Sequence, residues 1–231
     1  MSTKYLRKVS FGPGLGTARA ARWEPMIPRR PDSVPRRLGG GIVADQIADA
    51  AVRLFARHGY RGTTIAMIAR EVGLTDAGVL YHFPTKADLF WAIVDMFEDL
   101  QRDRVVALLA PGGLTAIRNL AQWGPIIEER PDLLALQVVL GATALSDDSE
   151  LHPYYRQRYD DLRAGIAGFL AQAAEAGDVR SDVDGIFEAT AFLAFLDGLR
   201  LQYCYSDGAV SLSAGLNAYV DQLVARISLE P

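Results

Sequence analysis

The chain has 231 residues, half of them hydrophobic, with a formal net charge of −4; it can bury a substantial core. No apolar run approaches the roughly 20 residues of a membrane span, and the basic N-terminus lacks the apolar stretch of a secretory signal. The single cysteine, Cys204, excludes an intrachain disulfide, so composition points to a protein of the reducing cytoplasm.

The charge is unevenly spread. Residues 1–40 sum to +7, residues 41–86 to +1, and the remainder to −12. An acidic body is repelled by phosphate, so a nucleic-acid-binding protein of this design approaches its partner head first.

In chain order, residues 1–41 read as a flexible basic tail rich in Pro, Gly and Arg. Its Gly12, Gly14 and Gly16 have neither the preceding strand nor the clear following helix that a phosphate loop requires. From Ile42 onward apolar residues recur at three- and four-residue spacing. The first helix is expected over Val43–His58, with Ile47, Ala50, Ala51, Leu54 and Phe55 on one face and Gly59 as its stop. A second follows over Thr64–Val72 and a third over Asp76–Phe83. The fourth starts after Pro84, where Thr85 and Asp88 form a capping-box pattern, and runs to Leu109, a rod of about 36 Å. Breaks at Pro125, Pro131, Ser146–Ser149, Gly177 and Ser206–Gly208 divide the rest into helices over about 114–129, 132–145, 151–176, 183–205 and 211–228.

The stretch from Thr63 to Lys86 meets the demands of a helix-turn-helix. Two short helices crossing steeply need a small residue at closest approach, and Ala69 supplies it. Their turn needs a residue that tolerates positive φ, and Gly73 supplies that. Val79 can pin the second helix to the first, Ile68, Val72 and Leu74 complete the small core, and Thr75 can cap the second helix. On spacing alone, a plain helical hairpin stays equally open. The preceding amphipathic helix and the following capped helix with Lys86 at its first position favour DNA binding.

Residues 43–90 as a whole resemble the DNA-binding domain of the TetR family of transcriptional regulators. The resemblance lies in His58-Gly59-Tyr60, Gly62-Thr63-Thr64, Ile68-Ala69, Val72-Gly73-Leu74, His82-Phe83-Pro84-Thr85-Lys86 and Leu89-Phe90. Asp197-Gly198-Leu199 and Gln202 also look like a segment of that family's penultimate helix. The implied fold class is all-α. A basic tail (1–41) precedes a three-helix DNA-binding domain (42–90), and a helical regulatory and dimerisation domain (91–231) follows.

The resemblance implies that Thr64 and Lys86 hold phosphates. It implies that Thr75, Asp76, Ala77 and Gly78 present a recognition helix to the major groove, with Tyr81 and His82 at its far end. Two positions depart from the family pattern. Its frequent aromatic contact falls at Leu80, beside Tyr81, about 100° away around the helix. Asp76 sits where many relatives carry a neutral or basic residue; it either accepts from a cytosine amino group or caps the helix, the reading favoured here. Glycine at 78 costs about 1 kcal/mol against alanine, which suggests a steric reason for it. Arg29, Arg30, Arg36 and Arg37 either follow phosphates and the minor groove or belong to an extension with no role.

For the body, the expected partners are a second copy of the chain, a small-molecule effector and a palindromic DNA operator. Phe195, Leu199, Leu216, Tyr219 and Leu223 are the candidate dimer residues. The plain alternative is that these stripes face their own core. Trp123, Gln137, Tyr154, Tyr155, Tyr159, Phe192, Arg200 and Tyr203 are the candidate effector contacts, with Gln202 a further polar one. The function expected is a repressor released from its operator by the effector, with the fourth helix as lever. An activator or a ligand-independent regulator of the same fold is the alternative. A helical enzyme or an interaction module is a remote one. His58, His82 and His152 lack metal-ligand spacing, Cys204 lacks a histidine partner, and neither cofactor nor metal is expected.

Overall fold

The computed structural model describes residues 41–145 and 151–229, with the side chains of 97–102 excepted. The tail up to residue 40 and the break at Ser146–Ser149 lie outside the described residues. Ten α-helices are described: α1 (Ile42–Gly62), α2 (Ile65–Glu71), α3 (Asp76–His82), α4 (Lys86–Leu109), α5 (Gly113–Asn119), α6 (Trp123–Glu128), α7 (Pro131–Thr143), α8 (His152–Glu175), α9 (Gly185–Tyr205) and α10 (Leu212–Ile227). The described residues contain no strand, only an isolated antiparallel bridge between Val179 and Ser228. The all-α expectation holds.

Local chemistry sets most helix ends. Gly59, at φ 72°, breaks α1 where the stop was expected, and a last turn continues to Gly62. Thr85 and Asp88 form a reciprocal capping box at the start of α4: the Asp88 amide donates to the Thr85 hydroxyl oxygen at 3.0 Å, and the Thr85 amide to the Asp88 carboxylate at 3.0 Å. Asp184 caps α9 by accepting from the amides of Ile186 and Phe187, and Ser211 caps α10 by accepting from Ala214.

The expected single helix over 114–129 is instead divided. A 3-10 turn at Leu120–Gln122 separates α5 from α6. Restarting at Trp123 places Pro125 in the first turn of α6, where its missing N–H costs no intrahelical bond. Gly124 then packs against the backbone of α10, where a Cβ would lie 2.6 Å from the Cα of Ser213.

Two apolar clusters hold the molecule together. One gathers Ala116, Ile117, Leu120, Phe169, Phe192, Leu216 and Leu223 from α5, the 3-10 turn that follows it and α8–α10. The other joins Ile47, Val52, Phe55, Ile68, Val79, Leu89 and Phe90 of the first four helices to Leu133, Leu136 and Leu140 of α7 and to Tyr154 of α8. Packing therefore does not stop at residue 90. Helix α7 is apolar on both sides: Leu133, Leu136 and Leu140 belong to the second cluster, and Leu134 to the first. The Arg130 guanidinium at its start pairs with Asp132 at 2.7 Å and lies 3.7 Å from Asp49 of α1.

Candidate nucleic-acid interface and inner cavity

The turn between α2 and α3 closes as a Schellman motif. Gly73, at φ 70°, donates to the Arg70 carbonyl at 3.4 Å, and Leu74 donates to the Ala69 carbonyl at 2.8 Å. Ala69 is 2% exposed, and Ile68 and Val79 are fully buried in the same cluster, while Gly73 supplies the positive φ expected of the turn. Leu74 departs from expectation. Its backbone closes the turn, but the residue is 36% exposed and lies outside the buried cluster.

With Val79 facing inward, the rest of α3 is left on the surface. Tyr81 is 84% exposed, with its ring edge-on to His82 at 5.3 Å. Thr75, Asp76, Ala77 and Leu80 are exposed, and Gly78 and His82 half-buried. The helix cap is Thr75, whose hydroxyl oxygen accepts from the Gly78 amide at 3.1 Å. Asp76, expected to cap, occupies the first helical position instead. A Cβ on Gly78 would meet only Thr75 and Leu74, at ordinary contact distances of 3.5 and 3.6 Å. The fold itself has room for alanine there. Thr64 caps α2, its hydroxyl oxygen accepting from Met67 at 3.2 Å.

Lys86 is already engaged by the protein. Its ammonium donates to the carbonyls of Tyr60 at 2.9 Å and Thr63 at 3.0 Å, and lies 4.4 Å from the Tyr60 ring centroid. Burial lowers its pKa from the ordinary value. Two of its three donors thus serve the end of α1. The sequence reading missed this clamp, and also Thr63, which is fully buried with its hydroxyl shared between the carbonyls of Gly59 and Leu54.

A cavity of about 720 Å³ lies among α4, α6, α7, α8 and α9. Six of the eight expected contacts line it: Trp123, Gln137, Tyr154, Tyr155, Tyr159 and Arg200. Phe192 does not; it is fully buried between the rings of Trp123 and Tyr219, 6.0 and 6.1 Å away. Tyr203 packs beside Gly208 instead, and Gln202 is exposed. Asp197, read from the sequence as part of a family-like segment but not as an effector contact, organises one wall. The Tyr159 hydroxyl donates to it at 2.6 Å, and the Arg200 guanidinium lies 3.6 Å from its other oxygen. Burial and the adjacent Asp197 together raise the Tyr159 pKa, so its phenol stays protonated and donating. Asp197 and Arg200, three residues apart on one helix, were the available signal for this pair.

The expected dimer residues mostly face inward. Leu199, Leu216 and Leu223 are 7%, 0% and 2% exposed, within their own core. Phe195 and Tyr219 stack on one another, with ring centroids 4.4 Å apart. The plain alternative applies to those three leucines, because the opposite faces of the same helices are the ones left open. Phe187, Thr190, Ala194, Gly198, Leu201 and Tyr205 lie exposed along α9, and Ala214, Ala218 and Ala225 along α10.

Residues 47–93 match the family described as "Bacterial regulatory proteins, tetR family". Residues 120–228 match "BetI-type transcriptional repressor, C-terminal". The HTH-type transcriptional regulator BetI of Agrobacterium fabrum is 35% identical over 173 residues, covering 73% of this chain and 80% of that protein. The chain belongs to the tetR family.

This tetR-family protein is therefore a DNA-binding transcriptional regulator. The HTH-type transcriptional regulator TtgR of Pseudomonas putida is 25% identical over 192 residues, covering 80% of the chain and 91% of its relative. A solved transcriptional regulator from Saccharomonospora viridis, in complex with choline, has the same fold. Its TM-score is 0.65 at 24% identity, over 81% of this chain and 98% of that one. No described helix of the regulator is long and apolar enough to cross a membrane.

Proposed function

We propose that this regulator is a cytoplasmic homodimeric repressor, not an enzyme, which leaves a palindromic operator when a small molecule fills the inner cavity. One observation carries the reading: of Asp76–His82 only Val79 is buried, so the rest of α3 is free to enter a groove. Two such heads related by a two-fold axis would read half-sites about one helical turn apart.

In this reading Thr75, Asp76, Ala77 and Gly78 meet the major groove, with Tyr81 and His82 at its edge and Thr64 on a phosphate. Lys86 keeps its third N–H for a phosphate while its other two hold α1. The small side chains of Ala77 and Gly78 favour close backbone approach and DNA shape over base-edge hydrogen bonds. The domains act as a head over 42–90 and a regulatory body over 91–231, and the partner copy packs on the open faces of α9 and α10.

Release follows from α7. Gln137 and Gly141 line the cavity together with Leu133, Leu136 and Leu140, and those three leucines also pack into the core of the head. A ligand that shifts α7 changes the seat of α1, and a ligand preferring splayed heads weakens the operator by its differential affinity. The Saccharomonospora viridis neighbour, which holds choline, supports a small-molecule site in this fold.

The reading is tested by titrating fluorescent duplexes from the region upstream of the coding sequence at several salt concentrations. Sequence-dependent binding with two heads per duplex, weakening steeply with salt, is expected. Equal affinity for a scrambled duplex would sink the proposal.

A further inference from the structure

Three residues that line the inner cavity each carry a buried polar atom without a hydrogen-bond partner: Nε1 of Trp123, Oε1 of Gln137 and Nε of Arg200. Buried polar groups left unpaired are costly and rare in native proteins. All three residues border one space of about 720 Å³, a volume typical of ligand sites. Trp123 is 8% exposed, so its N–H has no bulk water as an alternative.

The three atoms differ in kind. Trp123 and Arg200 offer donors, and Gln137 offers an acceptor. Arg200 is the one that carries charge. Its neighbour Asp197 is only a partial counter-ion, because the same carboxylate accepts from Tyr159 at 2.6 Å and the Arg200 Nη1 stands off at 3.6 Å. Burial pulls the Arg200 pKa below its ordinary value, with Asp197 as the main influence in the opposite direction. Asp197 is the one acid among the described lining residues, against the arginines 156, 158, 163 and 200. Arg163 pairs with Asp160, and Asp197 is engaged by Tyr159 and Arg200, so a quaternary ammonium would meet no unengaged carboxylate here. An anion would give the guanidinium of Arg200, whose side chain is 18% exposed, an acceptor in a largely desolvated setting, where charge-assisted hydrogen bonds are strongest. The rest of the wall, with Ile93, Leu136, Leu140 and Leu193 beside the tyrosines, suits an apolar body.

We infer that the effector of this regulator is an apolar carboxylate, its acid group received by Arg200 and its body held among the leucines and tyrosines of the cavity. This rests on the proposed effector role of the cavity and adds the chemical class.

The experiment is calorimetric titration of the full chain with three probes of one chain length: decanoate, decan-1-ol and decyltrimethylammonium. Decanoate should bind at least about tenfold tighter than decanol, an advantage of ~1.4 kcal/mol, and the ammonium most weakly. Arg200→Gln should bring decanoate to within about twofold of decanol. The inference is overturned if the ammonium equals or exceeds decanoate, if no probe binds, or if Arg200→Gln keeps the carboxylate preference. Should that variant fail to fold, the wild-type ranking of the three probes decides by itself. Operator binding of the same preparation, without probe, separates the two levels. Intact duplex binding with the wrong ranking removes only the carboxylate assignment, and lost duplex binding removes the regulator reading beneath it.

Discussion

The ammonium of Lys86 sits over the ring of Tyr60, 4.4 Å from its centroid, and donates to the carbonyl of the same residue at 2.9 Å. A cation at the start of α4 thereby closes the frayed end of α1, where the turn after Gly59 leaves carbonyls without helical partners. Tyr60 in turn packs against Phe55 and Phe90 at 5.4 and 5.5 Å, so the contact ties the motif to the core of the head.

Lys86→Ala should therefore act on stability as well as on DNA. Removing a charged donor from two carbonyls and the face of a ring costs about 1–2 kcal/mol. His82→Ala, by contrast, should weaken duplex binding with little change in stability. Urea unfolding of the two variants, beside anisotropy titrations, separates the effects. Equal unfolding midpoints for Lys86→Ala and the wild type would show that the clamp is not made in solution.

Gly78 lies mid-helix, where a Cβ would make only ordinary contacts with Thr75 and Leu74. Gly78→Ala should stabilise the free protein by about 0.5–1 kcal/mol, because alanine is the better helix former. It should nevertheless weaken the operator by about tenfold, ~1.4 kcal/mol, if the backbone there approaches DNA closely. A variant that is both more stable and tighter on DNA would show that Gly78 has no part in the contact.

Helix α6 is fastened to α10 through Glu128. Its carboxylate accepts from the amides of Leu212 and Ser213 at 2.7 and 3.2 Å, and from the hydroxyls of Ser211 and Ser213. Burial opposes its charge, but these hydrogen bonds, those from Ser213 foremost, outweigh it and hold the carboxyl below its ordinary value of 4.5. A depressed folded pKa contributes stability that is complete above the unfolded value and lost as pH falls through the folded one. Glu128→Gln should thus be less stable than the wild type at pH 7, with the gap closing as the pH drops below about 4.5. A gap that stays constant from pH 7 to pH 3 would contradict this role.

The same junction depends on Gly124. A methyl there would lie 2.6 Å from the Cα of Ser213 and 2.8 Å from its amide nitrogen. Backbone cannot step aside as a flexible side chain can, so Gly124→Ala should cost about 1–3 kcal/mol. Thermal unfolding checks it, and an unchanged midpoint would mean that α6 and α10 are looser than the structure has them.

Most helix ends and the locking trio of the motif were determined by the sequence alone, the division of 114–129 at Leu120–Gln122 excepted. Thr75 beside Gly78, Thr85 beside Asp88, and glycines at 59 and 73 act over three or four residues, and Ala69 and Val79 meet across a turn so short that spacing fixes their contact. The orientation of the later helices was not determined in this way. Helices α7, α9 and α10 are apolar on more than one side, so periodicity cannot say which face meets which neighbour. It was long-range packing that turned Leu216 and Leu223 inward, left Phe187 and Tyr205 outside, and gave α7 to the head and the cavity together. Tertiary structure likewise brought Asp197 between Tyr159 and Arg200, since residues 38 positions apart in the chain meet only when two whole helices have chosen their faces.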